Sequence, residues 1–65
     1  MTPEQRAAYI FAQSVSAMAE IEGMKAENSD RLSKGLSIAY GDEAFFAVPE
    51  KFGITHNQIL SLINE

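Results

Sequence analysis

The chain has 65 residues, nine acidic against five basic, for a net charge of −4, with one histidine and no cysteine. One domain over 1–65 is the ceiling, and a lone chain of this length buries only about 60% of its unfolded surface. Disulfides are excluded, a structural zinc site lacks ligands, and the acidic balance argues against a duplex-DNA binder, which needs lysine and arginine to displace counterions.

Oligomerisation remains as the supplement that small scaffolds use most readily. No segment has the apolar run of a signal peptide or membrane span, so a cytosolic chain without a membrane partner is expected.

The first predicted element is a long helix. Thr2 caps it, Pro3 sits where no amide hydrogen is needed, and Gln5 completes a capping box. Ala8, Phe11, Val15 and Met18 then repeat at helical spacing, and a second stripe of Ile10, Ala17, Ile21 and Met24 lies beside the first. The helix is expected from 3 to at least 28, and the pairs Glu27/Arg31 and Asp30/Lys34 could carry it to a stop at Gly35. Gly23 and the Asn28-Ser29-Asp30 run are its weak points.

Gly35 and Gly41 bracket a loop. Asp42 is expected to cap a second helix carrying Phe45, Phe46 and Val48, which Pro49 bends or restarts. Gly53 ends it, and Thr55 with Gln58 forms a capping box for a short last helix carrying Ile59, Leu60, Leu62 and Ile63. The expected fold is all-α: a long N-terminal helix packed against a kinked, broken returning arm, and oligomeric. The arm can cover one face only. The uncovered face reads as a self-association surface, with small residues at 7, 8, 12, 17 and 19 letting a second backbone approach.

Catalytic chemistry is not expected. Glu20/Glu22 and Asp42/Glu43 are the carboxylate clusters, but neighbouring helical residues point apart rather than sharing a proton, and a solvated face or cap explains them. No serine or threonine has a neighbouring base, no glycine-rich phosphate loop is present, and no cofactor is implied.

Binding chemistry has more to offer. Tyr9 and Phe11 present flat apolar faces of the kind that stack on nucleobases, although Phe11 also belongs to a core-like stripe. Lys25, the one cation between Arg6 and Arg31, suits a phosphate as a point charge, although pairing with Glu22 is its plain alternative. Tyr9 and Lys25 lie 16 residues apart, about 24 Å along a helix, so one protomer cannot bring them together. Two antiparallel copies crossing near Ala17 could, and twofold symmetry would make the pocket two-sided. The same 16 residues turn the side chain by roughly 160°, which bending or lysine reach must make up.

The segments "QRAAYIFAQ", "IEGMKAEN", "SIAYGDEAF" and "FGITHN" resemble the small anti-CBASS proteins of tailed phages, which act as sponges for cyclic oligonucleotide messengers. The resemblance runs over nearly the whole chain. It implies a helical hairpin with a kinked second arm, assembled as a hexamer in the cytoplasm of the infected bacterial host. It implies cyclic dinucleotides held between paired protomers, cyclic trinucleotides held in a separate pocket built by three, and no degradation of either. Tyr9 and Lys25, with Phe11 nearby, are the implied dinucleotide-binding residues; Arg31, Thr55, His56 and Asn57 are those suggested for the trinucleotide pocket.

Two other classes stand beside this one. "EKFGITHNQILSLI" is similar to the second half of a helix-turn-helix, with Gly53 at the turn, but the helix after Thr55 carries no lysine or arginine. A helical adaptor that binds another protein through its apolar arm is the other.

Overall fold

The computed structural model describes residues 1–64, and among these every regular element is helical. Helix α1 runs Pro3–Ser33, α2 Asp42–Lys51 and α3 His56–Ile63. The start of α1 is the expected capping box: the Gln5 N–H donates to the Thr2 hydroxyl at 3.0 Å, and the Thr2 N–H donates to Gln5 Oε1 at 2.9 Å. Its end is a Schellman motif, with Gly35 at φ +76° and the Leu36 N–H reaching back to the Arg31 carbonyl at 2.9 Å. The same device ends α2, where Gly53 sits at φ +72° and the Ile54 N–H meets the Pro49 carbonyl at 2.9 Å. Positive φ carries no steric penalty for glycine, so α1 and α2 each stop where a glycine permits the reversal.

Three expectations change in detail. Gly41, not Asp42, is the N-cap of α2, and Asp42 enters as its first helical residue, where its charge faces the helix dipole. Of the two expectations for Pro49, a bend or a restart, the restart does not occur: α2 continues through Pro49 to Lys51, and the arm breaks at the glycine turn. Neither Gly23 nor Asn28-Ser29-Asp30 interrupts α1, which passes through both. Asn28 is a poor helix former because its carboxamide competes for backbone partners. Here that carboxamide is occupied by the 34–41 loop: Oδ1 accepts from the N–H groups of Ala39 and Tyr40, each at 2.9 Å, and Nδ2 donates to the Tyr40 carbonyl at 2.8 Å.

The returning arm lies on one side of α1. The core is Ala17 and Met24 from α1 and Val48 from α2, with Ile21, Ala44, Phe45, Phe52 and Ile54 packed against it. Gln13 Nε2 donates to the Phe52 carbonyl at 3.0 Å, and Lys51 pairs with Glu20 across the two helices. Of the two apolar stripes of α1, the second is therefore the inner one. The first faces outward, with Phe11 71% and Met18 65% exposed. Ala17, expected at a crossing between copies, is 4% exposed beneath its own arm and is not available to a second backbone.

The result is an elongated slab of 49 × 18 × 10 Å with a radius of gyration of 15.1 Å. A compact domain of this length has a radius near 11 Å. Its accessible surface is 4798 Å², against about 4,100 Å² for a compact monomer of 7.1 kDa. The chain is under-buried for its size.

Candidate functional site

Helix α1 carries the three residues expected to meet a dinucleotide. Tyr9 is half exposed, Phe11 stands clear of the protein, and Lys25 projects into solvent with its ammonium 3.1 Å from Glu22. That ion pair spans one helical turn between two side chains that are 60% and 69% exposed. Such a pair holds its lysine weakly, so a phosphate can displace the glutamate at small cost.

Because α1 is one uninterrupted helix from Pro3 to Ser33, the distance between Tyr9 and Lys25 in a single chain is about 24 Å. The structure does not bring them together. Phe11 and Lys25 are related differently: fourteen residues apart, they differ by only about 40° around the helix and share its outer face. Tyr9 lies about 160° around the helix from Lys25, and about as far from Phe11, on nearly the opposite side of the helix from both. Phe11 and Lys25 of one chain are still about 21 Å apart along the axis, so a ligand touching all three residue types must bridge two copies.

The four residues expected to hold a trinucleotide fall into two places. Thr55, His56 and Asn57 form the N-cap and first turn of α3. Thr55 is engaged locally, its N–H and hydroxyl both donating to Gln58 Oε1 at 3.1 and 2.8 Å, while His56 and Asn57 are exposed. The bond from Gln13 to the Phe52 carbonyl fixes this turn beside the N-terminal half of α1. Arg31 lies 18 residues farther along, about 27 Å, where its Nε donates to the Ser37 carbonyl at 2.7 Å. Within one protomer, Arg31 and the α3 turn are not one site.

Sequence reasoning missed a groove between α1 and α2. It is an open groove of about 460 Å³ lined by Gly23, Met24, Tyr40, Ala44 and Val48 and by the paired Lys51 and Glu20. Glu20 Oε2 is buried there without a hydrogen-bond partner. The residues come from segments 20–24 and 40–51, so no local pattern announces it. Phe46, expected only as one of the apolar residues of α2, stands 78% exposed. Among the described residues no three of His, Cys, Asp and Glu converge, and no helix is long and apolar enough to cross a membrane.

Comparison of the chain with protein-family models, with curated proteins and with solved structures finds no match in any of the three.

Proposed function

We propose that the chain is a self-associating sponge for cyclic dinucleotides, and for cyclic trinucleotides at a second site, which holds these messengers without degrading them. It is read as a phage protein of the anti-CBASS kind, acting in the cytoplasm of the infected host to keep the messenger from its effector. The observation that carries the reading is the outer face of α1, where Phe11 and Lys25 stand exposed on one side of an under-buried rod. An aromatic ring for a base and a loosely held ammonium for a phosphate are the two contacts a nucleotide needs. Twofold pairing doubles both, which suits a ligand with two bases and two phosphates. The trinucleotide site would draw Arg31 from one protomer and Thr55, His56 and Asn57 from others, since one protomer keeps them apart.

The assembly proposed is a hexamer of antiparallel pairs, about 43 kDa for six copies of 7.1 kDa. The helix–turn–helix geometry of α2 and α3 supports DNA binding poorly, because His56–Ile63 carries no cation to meet a phosphate. The test is calorimetric titration with a cyclic dinucleotide and, separately, a short DNA duplex, followed by heat release and chromatography of the ligand. Saturable binding of the dinucleotide alone, returned unmodified, is the expected result. Binding of the duplex alone, or recovery of linear dinucleotide, would overturn the reading.

A further inference from the structure

The groove between α1 and α2 has a chemistry unlike that of the outer face of α1. Its walls are apolar: Met24 on α1, Ala44 and Val48 on α2, and Tyr40 from the loop. At about 460 Å³ it falls inside the usual range of small-molecule sites, about 300–1,000 Å³. Gly23 makes part of that room. A glycine inside a helix costs stability relative to alanine. Nothing lies within 4 Å of the place its methyl would occupy, so packing within the chain does not call for it. Any carbon added at position 23 would take volume from a ligand rather than from the protein.

The polar groups of the groove ask for a donor. Glu20 Oε1 takes the Lys51 ammonium, whereas Oε2 is buried and meets no hydrogen-bond donor. A carboxylate oxygen cut off from water and unbonded is costly, and χ3 of a glutamate is a soft torsion. The free oxygen therefore turns readily toward a donor placed in the groove. Lys51 has less to give an anion, being held by Glu20 and lying over the Phe52 ring, 5.6 Å from its centroid. Glu27 adds to the negative balance. It follows Glu20 by seven residues, about 10 Å farther along the same side of α1. It is also the neighbour of Asn28, which holds the Tyr40 end of the groove. Among the described residues no ion pair engages Glu27, so two carboxylates face one cation already in use.

We infer that this groove binds a small organic cation with an apolar body, its N–H donors on Glu20 Oε2 and its body between Met24, Tyr40, Ala44 and Val48. A fork of N–H donors, as in an amidinium, can meet Oε2 while Oε1 keeps Lys51. The face of the Tyr40 ring adds its own attraction for the charge. None of the residues proposed to hold a cyclic nucleotide lines the groove. The cation site therefore stands or falls separately from that reading.

Benzamidine, a phenyl ring bearing an amidinium fork, is the probe, and benzoate, the same ring with the opposite charge, is its control. Titration followed by amide NMR is expected to show saturable benzamidine binding, with the largest shifts at Gly23, Met24, Ala44 and Val48. Benzoate should bind roughly tenfold more weakly or worse. Glu20→Gln keeps the shape and removes the charge, and should weaken benzamidine roughly tenfold or more. Gly23→Leu fills the groove with a good helix former and leaves the Glu20–Lys51 pair in place. It should abolish binding with helical circular dichroism retained, and Gly23→Ala should weaken binding in the same direction. Benzoate binding as tightly as benzamidine, shifts confined to residues outside the groove, or affinity unmoved in both Gly23 variants would overturn the inference. A cyclic dinucleotide is added last. Displacement of benzamidine would overturn the separate cation site, because the groove would then belong to the nucleotide. A dinucleotide that binds alongside, or does not bind at all, supports the separate site and bears only on the proposed function.

Discussion

Asn28 grips Tyr40 from both sides, accepting from its N–H at 2.9 Å and donating to its carbonyl at 2.8 Å. A third bond, from the Ala39 N–H, shares the same Oδ1. One side chain therefore does for the 34–41 loop what a strand partner would do, and it aims the chain from the end of α1 into α2. Arg31, one turn along, adds its own bond to the Ser37 carbonyl.

Removing the grip should loosen the hairpin without touching its core. Asn28→Ala deletes three exposed bonds, each with a net worth of about 0.5–1.5 kcal/mol, and gains helix propensity in return. A loss of about 1–2 kcal/mol is expected in urea unfolding at fixed protein concentration. Asn28→Asp keeps the two acceptor contacts but turns a carboxylate oxygen toward the Tyr40 carbonyl, so it should be no more stable than the alanine variant. An aspartate variant matching the native chain would show that the Tyr40 carbonyl bond contributes nothing.

Gly53 offers a contrasting case. A methyl group at this position would meet nothing within 4 Å, so crowding is not the issue. Its φ of +72° is. Gly53→Ala is expected to cost about 1–2 kcal/mol from left-handed strain. Gly23→Ala, equally uncrowded but inside α1, should stabilise by about 0.5–1 kcal/mol. Parallel melts at one concentration check both signs; a fall in stability for both would mean that Gly23 is needed for a close approach not present in the monomer.

The ends of the helices were legible because their signals are local. Thr2-Pro3-Gln5, Gly35, Gly53 and Thr55 with Gln58 each specify a cap within a few residues, and each is found. The choice between the two stripes of α1 was not legible, because Phe11, Val15 and Met18 are as apolar as Ile10, Ile21 and Met24. What decides it is the arm, whose narrow contact through Val48 and Phe45 fits over the small Ala17. Asn28 was misread for a related reason: its poor helix propensity is visible locally, but its partners lie eleven and twelve residues away. At the candidate site the residue types and the span from Tyr9 to Lys25 were readable, since a continuous helix is a ruler. That Arg31 lies remote from the α3 turn depends on the Gln13–Phe52 contact, 39 residues apart in sequence.

The inner stripe predicts a size limit. Ala17 is almost fully covered, so Ala17→Leu must push α2 away from α1 and should cost about 1–3 kcal/mol through overpacking. The same change on the opposite face, Ala19→Leu, meets solvent in the monomer. Its unfolding at low concentration should stay within about 0.5 kcal/mol of the native chain. Equal penalties at 17 and 19 would contradict the assignment of inner and outer faces.

The last prediction concerns the residues proposed to hold the dinucleotide. If Tyr9 or Phe11 stacks on a base, its replacement by alanine should cost about 1–3 kcal/mol per stacked base. If Lys25 meets a phosphate, Lys25→Ala removes a charge-assisted hydrogen bond of about 1.5–3 kcal/mol. A twofold pocket counts each change twice, so a single substitution can weaken binding by several orders of magnitude. Lys25→Ala also frees Glu22, which is 69% exposed and solvated without its partner, so monomer stability should hardly move. Calorimetry with a cyclic dinucleotide, run beside light scattering, reads affinity and assembly separately. Loss of affinity with assembly retained supports a pocket between copies. Unchanged affinity in all three variants would place the ligand elsewhere on the chain, with the groove beside Glu20 and Lys51 as the next position to mutate.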